Sequence, residues 1–197
     1  MRKVIFATSN SGKMKEIREI LGDLEIELLS LKEAGIHPVI DENGTTFEEN
    51  AIIKAKTVME LTGEIVLADD SGLEVDYLDK APGVYSARFM GEDTSYETKN
   101  QYIIDHLSAV KGDKRSARFV CVIACAFPDG KVITRSGTAE GLISDRICGN
   151  QGFGYDPIFY VPEYSCTTAE MPSKCKNEIS HRGKALRAMK DVIRDYL

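Results

Sequence analysis

The 197-residue chain has no tryptophan, only three histidines and no long apolar run. No segment approaches the roughly 18 consecutive apolar residues that a membrane-spanning helix needs, so we expect no membrane partner. The first apolar run is too short for a signal peptide, which predicts a cytoplasmic protein. Positive charge is also scarce, since 25 Lys and Arg against 31 Asp and Glu give a net charge of −6. This balance argues against binding nucleic acids through their phosphate backbone.

The five cysteines do not form a metal or disulfide pattern. An odd number cannot pair completely within one chain. Cys121 and Cys125 lie in an apolar run, where free thiols behave as small buried hydrophobic groups. Cys148, Cys166 and Cys175 lack the C-x-x-C spacing and the nearby histidines of a zinc site. A structural zinc ion is therefore not expected.

The pattern of apolar residues predicts one mixed α/β domain over residues 1–197. A short apolar strand at residues 3–7 is followed by a polar turn and by a helix from Lys13. A capping signal at 45–49 begins a second helix, and a strand at 65–68 ends in Asp69-Asp70-Ser71-Gly72. The composition, with 43% hydrophobic residues, is sufficient for one sizeable core.

The second half of the chain changes to longer strand-like runs. Residues 117–127 and 131–141 are joined by Pro128-Asp129-Gly130, which predicts an antiparallel hairpin. Residues 73–91 are interpreted as irregular, 94–110 as a helix and 181–197 as an amphipathic helix. We therefore expect a mixed, twisted central sheet with a long antiparallel hairpin, flanked by helices, and an active-site cleft between two lobes.

The segment Thr8-Ser9-Asn10-Ser11-Gly12-Lys13 lies where a strand ends and a helix begins. Free N–H groups and the partial positive charge of a helix N-terminus favour phosphate, and Lys13 adds a full charge. It is not a P-loop, because the glycine spacing of that motif is absent. The alternative is an ordinary N-cap with a solvated lysine.

The adjacent carboxylates of Asp69 and Asp70 are the second candidate site. Two neighbouring carboxylates repel each other unless a cation lies between or beside them. Mg²⁺ is suited to this position, because it binds one or two carboxylates together with substrate phosphates. The alternative is a helix or turn cap formed by Asp69 with Asp70 in solvent.

Two further segments point to a flat, oxygen-rich ligand. In residues 149–157, glycines surround Phe153 and Tyr155, whose rings can stack on a base, and Asp156 can accept hydrogen bonds from base N–H groups. Ser180-His181-Arg182 begins the last helix shortly after Lys176, so cations and a helix N-terminus coincide. The alternatives are a packed tight loop and a structural histidine.

Taken together, the motifs describe phosphates, a divalent metal and a base, and the chain resembles the XTP/dITP diphosphatases, also called inosine triphosphate pyrophosphatases. The resemblance extends nearly end to end through motifs in the same order. They are Ala7-Thr8-Ser9-Asn10 with Lys13, Thr46-Phe47-Glu48-Glu49-Asn50-Ala51 with Lys54-Ala55, Ala68 to Val75, Ala81 to Arg88, Ala117-Arg118-Phe119, Gly152 to Pro157, and Lys176-Asn177 with Ile179 to Arg182. One departure is Cys148, since family members often carry arginine before the glycine matched by Gly149.

The resemblance implies a role for each matched residue. Asp70 would be the catalytic proton acceptor and a Mg²⁺ ligand together with Glu42. The triphosphate would contact Thr8, Ser9, Asn10, Ser11, Gly12 and Lys13, with Lys54 as a further phosphate contact and Ser71 beside the substrate. The base would contact Phe153, Gly154, Tyr155, Asp156, Lys176, His181 and Arg182.

The implied reaction is Mg²⁺-dependent hydrolysis of dITP, ITP or XTP to the monophosphate and pyrophosphate, by a homodimer. Cationic donors suit the 6-oxo group of these purines, whereas the amino group of adenine would oppose a donor with a donor. Guanine shares the 6-oxo group, so its rejection must arise at the 2-position. Two other functions stay open: a nucleotide sensor without catalysis, and a pyrophosphatase that prefers modified pyrimidine nucleotides.

Overall fold

A computed structural model describes residues 1–196 and shows a mixed α/β fold, as the sequence predicts. The strands are β1 (Arg2–Phe6), β2 (Ile26–Ser30), β3 (Ile65–Val75), β4 (Ser116–Ala126), β5 (Val132–Ile143), β6 (Phe159–Val161) and β7 (Cys166–Thr167). The helices are α1 (Ser11–Leu21), α2 (Phe47–Thr62), α3 (Tyr96–His106), α4 (Ser173–Ile179) and α5 (His181–Tyr196).

The strands form one sheet in the order β2-β1-β3-β4-β5-β6-β7. Strand β1 is parallel to β2 and β3, whereas β6 is antiparallel to β5 and β7. Strands β4 and β5 are neighbours in the sheet and are joined by a turn in which Phe127 N–H donates to the Lys131 carbonyl at 2.9 Å. The antiparallel pairing of this hairpin along its length stays a prediction.

The chain divides into two compact units. Unit 1 comprises Met1–Asp70, Cys121–Gly137 and the segment from His181, and unit 2 comprises Ser71–Val120 and Thr138–Ser180. The interpretation of the whole chain as one functional domain stays a prediction. Within residues 1–196, no helix combines the length and apolar character required to cross a bilayer.

The core of unit 1 follows from the periodicity of its helices. Helix α1 buries Met14, Ile17 and Leu21, which recur at steps of three and four residues and so share one face. Helix α5 buries an equivalent face that includes Leu186 and Met189, and these side chains belong to the same hydrophobic cluster as those of α1.

Helix α2 has the capping signal that the sequence predicts. The Thr46 hydroxyl accepts a hydrogen bond from Glu49 N–H at 3.1 Å, and the Glu49 carboxylate accepts one from Thr46 N–H at 3.2 Å. This capping box satisfies two backbone donors and fixes the start of the helix. Gly63 ends it in the left-handed conformation at φ 67°. Both ends of the element that carries Asn50 and Lys54 are therefore defined locally.

Unit 2 has its own core. Leu73 and Val75 of β3 belong to this second cluster with Ile103 of helix α3, Leu107 directly after that helix and Phe159 of β6. All five side chains are fully buried. The loop at residues 149–157 therefore lies on a unit that is stabilised by its own hydrophobic contacts.

The expected end of the third strand is wrong. The apolar pattern predicts a strand that ends at Ala68, followed by Asp69 to Gly72 and by an irregular stretch from residue 73, but β3 continues to Val75. Polar Asp, Ser and Gly residues usually indicate turns, yet here both carboxylates have cationic partners that allow them to remain in a buried strand. Successive side chains of a strand point to opposite faces, so Asp69 and Asp70 do not share one face.

Smaller differences concern short elements. The helix predicted over residues 94–110 is confirmed only as Tyr96–His106. The pattern did not indicate α4 or β7, which have only seven and two residues. Elements of this length are too short to show a periodic pattern.

Candidate active site

The loop between β1 and α1 is organised by a side-chain cap. Asn10 Oδ1 accepts a hydrogen bond from Lys13 N–H at 3.0 Å, and Thr8 Oγ1 accepts one from Asn10 N–H at 3.2 Å. Ser9, Asn10 and Ser11 are exposed, whereas Thr8 is buried. The capping function considered from the sequence is thus present, and exposed N–H and hydroxyl donors remain at the start of the helix.

Lys13 is not solvated, because its ammonium lies against a buried carboxylate. Lys13 Nζ is 3.0 Å from Asp69 Oδ1 and 2.9 Å from Asp69 Oδ2. The Asp69 carboxylate also accepts from Arg182 Nη2 at 3.1 Å and from Arg182 Nε at 3.3 Å. Burial alone would raise the pKa of Asp69, but the Lys13 and Arg182 charges outweigh it and hold that pKa well below its usual range.

Arg182 is the centre of this group of charges. Its side chain is 3% exposed, and its Nη1 donates to Glu16 Oε2 at 2.6 Å. Desolvation opposes the charge of Arg182, but Asp69 and Glu16 raise its pKa above the usual value. Four residues, Lys13, Glu16, Asp69 and Arg182, therefore form a buried network that holds Lys13 and the start of α5 together. The role of Arg182 in contacting a base stays a prediction.

Asp70 lies in a different environment from Asp69. Asp70 Oδ2 accepts a hydrogen bond from Asn50 Nδ2 at 3.2 Å, and Lys54 Nζ is 3.4 Å from Asp70 Oδ1. Burial raises the pKa of Asp70, and the charges of Glu42 and Asp69 add to this, although Lys54 and Asn50 act in the opposite direction. Asp70 is thus a carboxylate whose ionised form is only partly compensated.

Lys54 connects Asp70 to Glu42. Its ammonium donates to Glu42 Oε2 at 2.7 Å, and the side chain is 10% exposed, whereas that of Glu42 is 36% exposed. Desolvation lowers the pKa of Lys54, but Asp70, Asp69 and Glu42 raise it by more. Asp70 and Glu42 can thus approach the same cation. Oxygen donors of this kind fit Mg²⁺, which takes one or two protein carboxylates and completes its shell with water and phosphate.

The position of His181 depends on a glycine in strand β5. Its side chain is buried, and it is the first residue of α5. A Cβ at Gly137 in β5 would overlap the His181 carbonyl oxygen. Only glycine lets the start of α5 approach β5 this closely. No local pattern indicates the role of Gly137, or Glu16 as a partner of Arg182.

In unit 2, the loop at residues 149–157 is closed around Asp156. Asp156 Oδ2 accepts from Phe153 N–H at 2.8 Å and from Lys176 Nζ at 2.7 Å, and Asp156 Oδ1 accepts from Thr168 Oγ1 at 2.9 Å. Asp156 is 3% exposed. A Cβ at Gly152 would overlap Asp156 Oδ2, so only glycine allows this closure. Asp156 thus organises the loop by these three hydrogen bonds.

The two rings of this loop have different exposure. Phe153 is half-buried, and Lys176 Nζ lies 5.0 Å from the centre of its ring, in cation–π geometry. Tyr155 is buried, its ring is perpendicular to that of Tyr96, and burial raises the pKa of its hydroxyl well above the usual value. Phe153 is therefore the more exposed of the two rings, with a cation beside it. Ser71 is half-buried in β3.

The fold and these groups define a class of protein: an α/β protein with a buried cluster of carboxylates and cations suited to a metal-bound polyphosphate. Comparison with known proteins makes this specific. Residues 4–192 match the model of the Ham1 family, and the chain belongs to that family. The resemblance stated from the sequence is thereby confirmed.

Relatives and solved structures cover the whole chain. A protein of Clostridium perfringens named dITP/XTP pyrophosphatase is 49% identical over 203 residues, with 100% of both chains covered. The structure of a HAM1 protein from Coxiella burnetii has a TM-score of 0.89 at 42% identity, covering 99% of this chain and 100% of that chain. The Staphylococcus aureus Ham1 protein has a TM-score of 0.88 at 37% identity, with both chains fully covered.

Proposed function

We propose that this protein hydrolyses dITP, ITP and XTP to the corresponding monophosphate and pyrophosphate with Mg²⁺ as cofactor. The observation that carries the proposal is the position of Asp70: a buried carboxylate with a raised pKa, next to Lys54, which also binds Glu42. A raised pKa makes a carboxylate a stronger base, which suits it to accept a proton from water. The names of the relatives and the family membership support the substrate class.

In this mechanism Asp70 and Glu42 would hold Mg²⁺, which supplies charge neutralisation and polarisation of the phosphates. Asp70 orients the water and accepts one of its protons as the water oxygen bonds to the α-phosphorus and the α–β phosphoanhydride bond breaks. Lys13 and the N–H groups at the start of α1 bind the pyrophosphate, whose negative charge grows as it leaves. Lys54 stabilises the ionised form of Asp70 until the proton is transferred.

The base would be bound by the loop around Asp156. Phe153 offers a ring for stacking, and Lys176 places an ammonium beside that ring. An ammonium donates hydrogen bonds and does not accept them, so it suits the 6-oxo group of hypoxanthine or xanthine and disfavours the 6-amino group of adenine. The buried Asp156 keeps Lys176 in place by the 2.7 Å ion pair.

The test is pyrophosphate release from dITP with Mg²⁺ omitted and restored, with Asp70→Asn as the control variant. We expect release that requires Mg²⁺ and falls by at least about a hundredfold in the variant, as is typical on loss of general-base catalysis. A wild-type rate no higher than that of Asp70→Asn would contradict the proposal. Tight ITP binding without turnover would instead indicate a sensor, and preference for dUTP or dTTP a pyrimidine enzyme.

The proposal includes a cytoplasmic homodimer without nucleic-acid or membrane partners. Unit 2 exposes large aromatic side chains, among them Tyr77 and Tyr85, each more than half exposed. Such side chains are enriched where proteins associate. Light scattering after gel filtration tests this directly: a mass near 21.8 kDa, that of one chain, would contradict the dimer.

A further inference from the structure

The first turns of helix α3 contact the loop that carries Phe153. Asn100 Nδ2 donates a hydrogen bond to the Gly154 carbonyl at 3.1 Å, and Asn100 as a whole is only 2% exposed. The preceding residue, Lys99, donates to the Ala87 carbonyl at 2.7 Å. Neither residue belongs to the set that the sequence motifs indicate. Side chains of helix α3 thus donate hydrogen bonds to two backbone carbonyls in other segments of unit 2.

A second contact fixes the same loop one residue further on. The Tyr155 hydroxyl donates to the Ser86 carbonyl at 2.7 Å. Ser86 is itself held, since its Oγ donates to the Gly83 carbonyl at 2.6 Å and accepts from Leu73 N–H at 2.9 Å. Two consecutive residues, Gly154 and Tyr155, are therefore hydrogen-bonded to other segments of unit 2.

The loop needs such contacts because its glycines do not restrict the backbone to one conformation. Gly152 and Gly154 have φ angles of 76° and 67°, and they flank Phe153 on both sides. Glycine samples many backbone conformations, so a single position of the Phe153 ring must be imposed by surrounding groups. The Asp156 carboxylate fixes the Phe153 N–H, and Asn100 fixes the carbonyl of the following residue.

The cost of burying Asn100 suggests that its amide has a function. Within residues 1–196, Asn100 Oδ1 has no hydrogen-bond partner although it is buried. A buried acceptor without a partner is unfavourable, and an apolar side chain of similar shape would avoid the penalty. The benefit that offsets it is the hydrogen bond from Nδ2 to Gly154.

We propose that Asn100 is a positioning residue that sets base discrimination by holding Gly154, and with it the Phe153 ring, in one place. This inference rests on the proposed function and deepens it. Discrimination between a 6-oxo and a 6-amino purine depends on whether polar groups meet matching partners, which requires the platform to be fixed to within about half an ångström. If the loop were held less firmly, the Phe153 ring could shift and accommodate a 6-amino purine.

The test compares kcat/KM for dITP and dATP in three variants. Asn100→Leu removes the bond to Gly154 and also the unpartnered acceptor, and Tyr155→Phe removes the bond to Ser86 while keeping the ring. Tyr102→Phe is the matched control, since it removes the hydroxyl of a partly exposed tyrosine on the same helix. We expect the dITP-to-dATP ratio to fall roughly tenfold in the first two variants, mainly through a higher KM for dITP, and to be unchanged in the control.

Stability separates positioning from a merely structural role. We expect Asn100→Leu to keep or raise the melting temperature, while hydrogen exchange at the amides of residues 153–155 becomes faster. An unchanged substrate ratio overturns the inference, as does an equal loss of activity on both nucleotides. If the wild type releases no pyrophosphate, the proposed function fails, and binding of ITP against ATP in EDTA then decides the inference by the same ratio.

Discussion

Asp69 and Asp70 are neighbours in strand β3, yet each carboxylate has its own cationic partners. Asp69 is bound by Lys13 and Arg182, whereas Asp70 contacts Lys54 and Asn50. The alternation of side chains along a strand separates them. The ionised form of Asp69 is therefore compensated by two cations, whereas the ionised form of Asp70 is only partly compensated.

This difference predicts opposite effects of the same substitution. Asp69→Asn leaves Lys13 and Arg182 beside a neutral side chain and should lower the free energy of unfolding by about 3 kcal/mol or more. Asp70→Asn should leave it unchanged or raise it, because burial disfavours the charge of Asp70. Urea unfolding of both variants measures this, and equal losses would contradict the assignment.

Lys54 should control the pH dependence of activity. Its charge lowers the pKa of Asp70, so Lys54→Met should raise that pKa further. If Asp70 must be ionised to act, the acid limb of the kcat/KM profile moves to higher pH, by roughly one unit. Lys56→Met, an exposed lysine on the same helix, is the control. An unshifted acid limb in Lys54→Met would rule out this role.

Glu33, which is distant in sequence from Asp70, should make the folding stability depend on pH in the acid range. Hydrogen bonds from Arg18 and Ser30 lower the pKa of Glu33 to about 2 from its usual 4.5. Because the folded pKa is the lower one, the stabilisation is complete above about pH 4.5 and is lost as the pH falls through 2.

The variant Glu33→Gln should therefore be less stable than the wild type at pH 6, and the two should converge as the pH falls below about 2. Thermal unfolding across this range measures the convergence. Glu27→Gln, at an exposed position of β2, provides the comparison and should show no such convergence. A stability difference independent of pH would refute the linkage.

The five thiols should fall into two classes. Burial raises the pKa of Cys121 and of Cys125 to about 12, and both are fully buried. Cys148, Cys166 and Cys175 are partly exposed. At pH 8 a disulfide reagent should modify no more than three thiols in the folded protein and all five after unfolding, since the thiolate is the reactive form. Rapid reaction of a fourth thiol would contradict the burial.

Local patterns were sufficient for much of the fold and for the motifs. The capping box of Thr46 and Glu49 and the turn between β1 and α1 depend on residues within a few positions of each other, and both are confirmed. The extension of β3 was missed because Asp69 and Asp70 favour a turn unless cations compensate them, and Arg182 lies 113 residues away.

The same limit applies to the loop at residues 149–157. Its glycines and aromatic rings can be recognised in the sequence, but Asn100 precedes Gly154 by 54 residues, and its role depends on the packing of α3. Gly137 likewise allows the backbone of His181 to approach β5 closely, and this contact arises only in the folded chain. Residue type indicates the chemistry, whereas long-range packing decides which group is available for it.

The fit of Asp156 against Gly152 limits how this protein can be redesigned. Any side chain at position 152 would displace the carboxylate that holds both the Phe153 amide and Lys176. A mutagenesis library aimed at changing the ligand preference of this loop should therefore keep position 152 constant and vary position 153. New specificities would then arise from the side chain at position 153, while the hydrogen bonds of Asp156 that hold the loop stay unchanged.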